Sequence, residues 1–371
     1  MYKGTGISKD QLSDDGEPCI LYGELYTKYK SETIREVISK TNIDNTKLVR
    51  SKANDVIIPC SGETAEDIAT ARCVLNANIL LGGDLNIIRL QGYDGAFMSY
   101  QLNGRRKYDI AKVAQGVSVV HLYGEHLKGV KTINPCLEEQ KKIAKLLSLL
   151  DERIATQNKI IEDLKKLKSA ISKYLFARKD LLETTICLSN IATLKNGYAF
   201  QSGKYNAMGK WKILTITNVP GERYINDEDC NCMINLPDDI QDHQVLKEGD
   251  ILISLTGNVG RVSLCKSGAY LLNQRVGLLQ IEGNIDKEFL YQVLSSRRFE
   301  NSMVACGQGA AQMNIGKGDV ENFVLPYSSN ANNIHLVARI LHSYDECIIN
   351  ELRELTLLTM QKQYFLAQMF I

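Results

Sequence analysis

The chain has 371 residues, 44% of them apolar and 7% aromatic, and its 44 Lys and Arg nearly balance 43 Asp and Glu for a formal charge of +1. That length suits two or three domains with proper cores, and the composition excludes long disordered tracts. Near-neutrality excludes a polycation that coats DNA unaided, while leaving room for basic residues gathered on one face. Of ten cysteines, only Cys230 and Cys232 lie close together; without zinc-site spacing they read as reduced thiols of a cytoplasmic protein. The opening residues do not read as a signal peptide, and no apolar run approaches the ~20 residues of a membrane span.

In chain order, DVIIPCSGE at 55–63 reads as a buried strand ending in a turn, because a short apolar run meets Ser-Gly. Gln115 and Gly116 mark a polar loop, with His121 and Leu122 beyond it. Asn134 and Pro135 suit a helix start, since Asn caps and Pro fits the first turn. Residues 137–176 then contain neither Pro nor Gly. Within them Ile143, Leu147, Leu150, Ile154, Ile161, Leu164, Ile171 and Leu175 recur at steps of four and three, interrupted by Gln157 and Lys168. This is a coiled-coil seam. A strand is expected around 186–194, and another at 250–258, DILISLTGN. A glycine-rich polar loop follows at 307–317. The last helix carries a second seam: Val337, Leu341, Tyr344, Ile348, Leu355, Leu358, Phe365 and Met369, interrupted by Glu351 and Lys362.

The two halves repeat. DVIIPCSGE matches DILISLTGN at an offset of 195, Gln115 and Gly116 match Gln308 and Gly309 at 193, and KKIAKLLSLLDERI at 141–154 matches HLVARILHSYDECI at 335–348 at 194. His121 and Leu122 fall on Asn314 and Ile315. Asp151 falls on Asp345, and Lys168 on Lys362. Offsets this constant point to a tandem duplication of a globular domain followed by a helix. The expected boundaries are 1–135, 136–180 for the central helix, 181–328, and 329–371 for the final helix. Matched seams make the helices natural partners. Heptad spacing permits either direction, and the duplication favours antiparallel pairing because it gives approximate two-fold symmetry. The first domain lacks a counterpart to the strand at 186–194. It reads as starting late, as in a fragment, a recombined variant or a protein with a relocated start.

A globular domain ending in a Gln-Gly loop, then a Pro-containing segment, then a helix opening with EEQKKIA at 138–144 and carrying LLDERI at 149–154 resembles the specificity subunit of type I restriction–modification systems. Leu325, Pro326, Val337, Ala338, Arg339 and Ile340 follow the same order in the second half, so the likeness covers nearly the whole chain. The resemblance implies an α+β protein with two similar, mixed, strand-rich target-recognition domains separated by two long helices forming an antiparallel coiled coil. It implies sequence-specific binding of a bipartite double-stranded DNA target, with the helices as a ruler between half-sites. It implies partners: two DNA adenine methyltransferase subunits and restriction/translocase subunits. The chain itself would be no enzyme and hold no cofactor, with S-adenosylmethionine, ATP and Mg on the partners alone. Two alternatives stand beside this: a coiled-coil assembly protein whose globular domains bind protein, and a specificity subunit of a type II-like methyltransferase system.

Base edges are read by Arg and Lys on guanine and by Asn and Gln on adenine, with phosphate contacts adding affinity, and loops best carry such groups. In the first domain the candidates are Ser61, Glu63, Arg105, Arg106, Lys107 and Gln115, with Ser118 and His121 beside them. In the second they are Lys204, Lys210, Asn258, Arg261, Asn273, Gln274, Arg275, Gln308, Gln312, Asn314 and Lys317. Catalytic readings fall away. The NPCL at 134–137 lacks the second Pro and the aromatic of an adenine-methyltransferase motif. Pro237 and Asp238 lack the carboxylate and Lys order of a nuclease metal site, and no metal site is expected. No Gly-Lys-Ser/Thr phosphate loop is present.

Overall fold

The computed structural model describes residues 1–44, 46–116, 119–307 and 313–370. It divides into two compact units, Met1–Lys159 with Leu352–Ile371, and Ile160–Glu351. Two long helices, Leu137–Ala177 and Ala331–Gln368, each contribute one part to each unit.

In the first unit, a five-stranded sheet runs Tyr2–Lys3, Leu85–Ile88, Asp55–Pro59, Arg72–Val74 and Thr33–Ile34. A four-stranded sheet runs Leu12–Ser13, Ser39–Thr41, Glu17–Ile20 and Leu80–Leu81. The expected strand at 55–63 forms because Val56, Ile57 and Ile58 are fully buried, as befits a central strand covered on both faces. A short pair, Ser61–Gly62 with Val120–His121, continues from it.

The second unit repeats this plan. Its first sheet runs Ala192–Asn196, Val276–Ile281, Ile251–Ser254 and Val262–Leu264, matching the first four strands of the five-stranded sheet. Its second runs Asn231–Met233, Trp211–Leu214, Tyr270–Leu272 and Val245–Leu246. In each unit the second sheet contains one parallel pair, Glu17–Ile20 with Leu80–Leu81 and Trp211–Leu214 with Tyr270–Leu272. Thr184–Cys187 pairs with Val324–Tyr327, and the first unit shows no such pair among its described residues. The strand expected at 186–194 is therefore split. Thr184–Cys187 and Ala192–Asn196 join different sheets, because the 3-10 turn Leu188–Asn190 lies between them.

Within the first unit, Ile143, Ala144, Leu147 and Leu150 pack with Phe365, Leu366, Met369 and Phe370 against Phe97 and Tyr100. Further along, Asp151 meets Lys362 and Arg153 meets Glu354. Within the second unit, Ile171 and Leu175 share a core with Val337 and Leu341, and Lys168 meets Asp345. Numbers rise on one helix as they fall on the other, so the pairing in each unit is antiparallel. All sixteen apolar seam residues are buried or half-buried. One local expectation is corrected. Asn134 does not cap the central helix. Its side chain donates to Thr132, and the Cys136 carbonyl accepts the first helical N–H, from Gln140. Gln140 also donates to the Pro135 carbonyl and accepts from the Asp94 N–H, so it fixes the helix start from inside.

Candidate nucleic-acid interface

In the second unit, an open cleft of about 430 Å³ is lined by Asn196, Gly197, Thr256, Gln274, Asn314 and Lys317 among others. Thr256, Gln274, Arg275 and Asn314 line an adjoining concavity. Main-chain bonds build it. Ser254 ends a buried strand, the Leu255 N–H donates to the Arg275 carbonyl, and the Ile315 N–H donates to the Leu255 carbonyl. Thr256 and Asn314 form an isolated antiparallel bridge, and the Thr256 hydroxyl donates to Asn314 Oδ1 at 3.1 Å. A Cβ on Gly197 would overlap the Asn273 carbonyl, so the close approach at that wall requires glycine. The polar lining is unlike the mostly apolar enclosed pocket that takes a small molecule. It matches the amide, guanidinium and ammonium donors that meet base edges and phosphates.

Four candidates thus come together here: Gln274, Arg275, Asn314 and Lys317. Asn273 stands at the neck, its side chain accepting from the Arg275 N–H, and Asn258 is exposed in the neighbouring turn. The other basic candidates stand apart. Lys204 is exposed on the turn Ser202–Lys204, Lys210 lies over the Trp211 ring, and Arg261 pairs with Glu300 at 3.9 Å. Lys317 keeps Glu321 at 3.6 Å, with half of its side chain exposed. Ser118, Gln308 and Gln312 lie outside the described residues.

The first unit has the same construction. The Cys60 N–H donates to the Asp84 carbonyl and the Leu122 N–H to the Cys60 carbonyl. Ser61 pairs with His121 across the short ladder, with Ser61 Oγ 3.3 Å from His121 Nδ1. Gln115 brackets the same histidine through two main-chain hydrogen bonds, and Glu63 is exposed nearby. A Cβ on Gly4 would overlap the Gly82 carbonyl, as at Gly197. The basic turn does not join this group. Arg105 is exposed and Lys107 opens the helix Lys107–Val113. Arg106 pairs with Asp109 at 3.4 Å, and the turn lies where Gly104 abuts the Leu366 carbonyl.

Sequence reasoning missed Asn196 in the cleft of the second unit, and Lys3, Asp84 and Tyr123 beside the matching junction of the first. The 193-residue offset places Lys3 and Gly4 on Asn196 and Gly197, so that signal was available. Tyr123 stacks against His121, and Lys3 lies over its ring at 5.9 Å.

The type I restriction modification DNA specificity domain matches residues 3–166 and again 183–359. The chain belongs to the type I restriction–modification specificity family. Its two DNA specificity domains follow the duplication, and the family is one of non-catalytic specificity subunits. Among relatives, the type I restriction enzyme MjaVIII specificity subunit of Methanocaldococcus jannaschii is 28% identical over 330 residues, 82% of this chain and 75% of that protein. The S subunit of a type I restriction–modification system from M. genitalium has the same fold, with a TM-score of 0.60 at 18% identity. That match covers all of this chain and 93% of the other. A chain from a type I system studied for complex assembly and conformational transition matches at 0.57 and 14% identity, covering 98% and 93%. Among the described residues of this specificity-family chain, no helix is long and apolar enough to cross a membrane, and no cluster of three or more His, Cys, Asp or Glu is placed to hold a metal ion.

Proposed function

We propose that this chain is the DNA-reading subunit of a cytoplasmic type I restriction–modification complex. It binds a bipartite duplex target and directs the methyltransferase and restriction subunits to it. The observation that carries the reading is the repeated specificity domain, in which the same main-chain junction recurs at the end of a buried strand with polar side chains beside it. The reading places base contacts at Gln274, Asn314, Ser61 and Gln115, and phosphate contacts at Arg275 and Lys317. The long helices serve as the spacer between half-sites.

The partners in this proposal are two DNA adenine methyltransferase subunits and restriction/translocase subunits. S-adenosylmethionine, ATP and Mg belong to those partners. An apolar stripe supports docking. Ile160, Leu167 and Tyr174 recur every seven residues on the central helix, off the seam, at 40%, 47% and 60% exposure. A periodic exposed stripe of that kind suits a partner helix. The test is co-expression with the candidate methyltransferase, followed by mapping of methylated adenines across random-sequence plasmid DNA. Methylation confined to one two-part motif is expected. Methylation without sequence preference, or no complex at all, would defeat the proposal.

A further inference from the structure

The hydroxyl of Thr256 and the hydroxyl of Ser61 hold equivalent positions, each one residue past the main-chain junction at Leu255 or Cys60. Each meets a polar side chain on the opposing segment, Asn314 in one unit and His121 in the other. Both Asn314 and His121 are exposed. The pairs are chemically parallel although the residues differ. When Thr256 donates to Asn314 Oδ1, the amide is oriented with its two Nδ2 hydrogens directed away from that bond. When Ser61 donates to His121 Nδ1, the neutral ring carries its hydrogen on Nε2. In each case the hydroxyl engages one side of the group and leaves N–H donor capacity on an exposed side chain.

We propose that Asn314 and His121 are the specificity-determining residues of the two units, each offering a hydroxyl-held N–H donor to a base-edge acceptor in the major groove. This rests on the DNA-reading function proposed above. The acceptors of that groove are purine N7, guanine O6 and thymine O4. Thr256 and Ser61 are positioning residues. Without the hydroxyl, the amide or ring turns freely and its discrimination falls. The surroundings make the two readers unequal. Arg275 flanks Asn314, whereas the equivalent main-chain acceptor in the first unit belongs to Asp84, and Tyr123 stacks on His121.

The test uses the full chain assembled with its methyltransferase and a pool of random-sequence duplexes, sequenced after selection. The wild type is expected to enrich a two-part motif. Asn314→Asp replaces the donor face by acceptors, and should change preference about tenfold at one position of one half, leaving the other half intact. His121→Phe keeps a planar ring but removes the N–H donor, and should change one position of the opposite half. Thr256→Val should blunt the position that Asn314→Asp changes, and Thr256→Ser, which keeps the hydroxyl, should restore it. A merely structural role would weaken binding to all sequences alike and leave the motif unchanged. An unaltered motif in Asn314→Asp and His121→Phe, or changes falling in the same half, overturns the proposal while DNA reading stands. A wild type that enriches no motif overturns both. Thermal melting of each variant identifies any that misfold, and for those Asn314→Ser and His121→Leu take their place.

Discussion

Lys362 Nζ lies 2.6 Å from Asp151 Oδ1. The relationship recurs with the roles of the helices exchanged, since Lys168 Nζ lies 2.6 Å from Asp345 Oδ1. Lys168 and Lys362 are duplicates of each other, as are Asp151 and Asp345. In an antiparallel pairing the lysine of each repeat meets the aspartate of the other, so one ancestral Asp-and-Lys helix yields both bridges. Tyr100 donates to Asp151 at 2.7 Å, and Lys362 also reaches Glu32 at 2.6 Å. In the other unit Arg223 and Gln292 donate to Asp345. These groups are mostly buried, so each charge depends on its partners.

Lys362→Met is accordingly expected to destabilise the chain by about 3–5 kcal/mol, because it leaves Asp151 and Glu32 buried without their cation. Urea unfolding followed by circular dichroism measures this. A loss under about 1 kcal/mol would place the cluster in effective contact with water.

Glu288 supplies a pH dependence of known sign. Burial opposes its ionisation, but bonds from Arg223 and Gln292 outweigh that and hold its carboxyl below the ordinary value near 4.5. Its stabilisation is therefore present above the ordinary carboxylate range and is lost as pH falls through the lowered folded value. Glu288→Gln should lower Tm at neutral pH, with the gap to wild type closing on acidification. A gap that widens toward acid would refute the assignment.

Lys317→Ala and Arg275→Ala should each weaken DNA binding at all sequences and reduce the slope of log affinity against log salt by about one. Titrations at several salt concentrations read this directly. An unchanged slope removes the residue from the phosphate contacts.

Leu167→Glu should leave the fold intact, because Leu167 is 47% exposed, and should weaken capture of the methyltransferase by about 30-fold, as for a central interface residue. Pull-down titration with purified subunits measures the effect. Unaltered capture would place docking elsewhere.

Adding one heptad to each long helix keeps both seams in phase. It should lengthen the gap between the halves of the methylated motif without changing either half. A methylation survey with the same gap would count against the helices as the spacer.

Much of this was determined by the sequence alone. Apolar runs such as 55–59 had to be buried strands, two Pro- and Gly-free heptad seams had to be long helices, and a constant offset near 194 could arise only by duplication. These are local or periodic signals, carried by the residues themselves. The tertiary structure decided the rest. A heptad seam fits a partner in either direction, so antiparallel pairing emerged only when Asp151 met Lys362 and Lys168 met Asp345, pairs separated by 211 and 177 positions. Of the polar loop residues, sequence could not distinguish Asn314 and Gln274 from Lys210 or Arg261, because each is merely a polar group beside a turn. Main-chain hydrogen bonds between distant segments gather the first two into a cleft and leave the others against Trp211 and Glu300, and no short-range pattern encodes that choice.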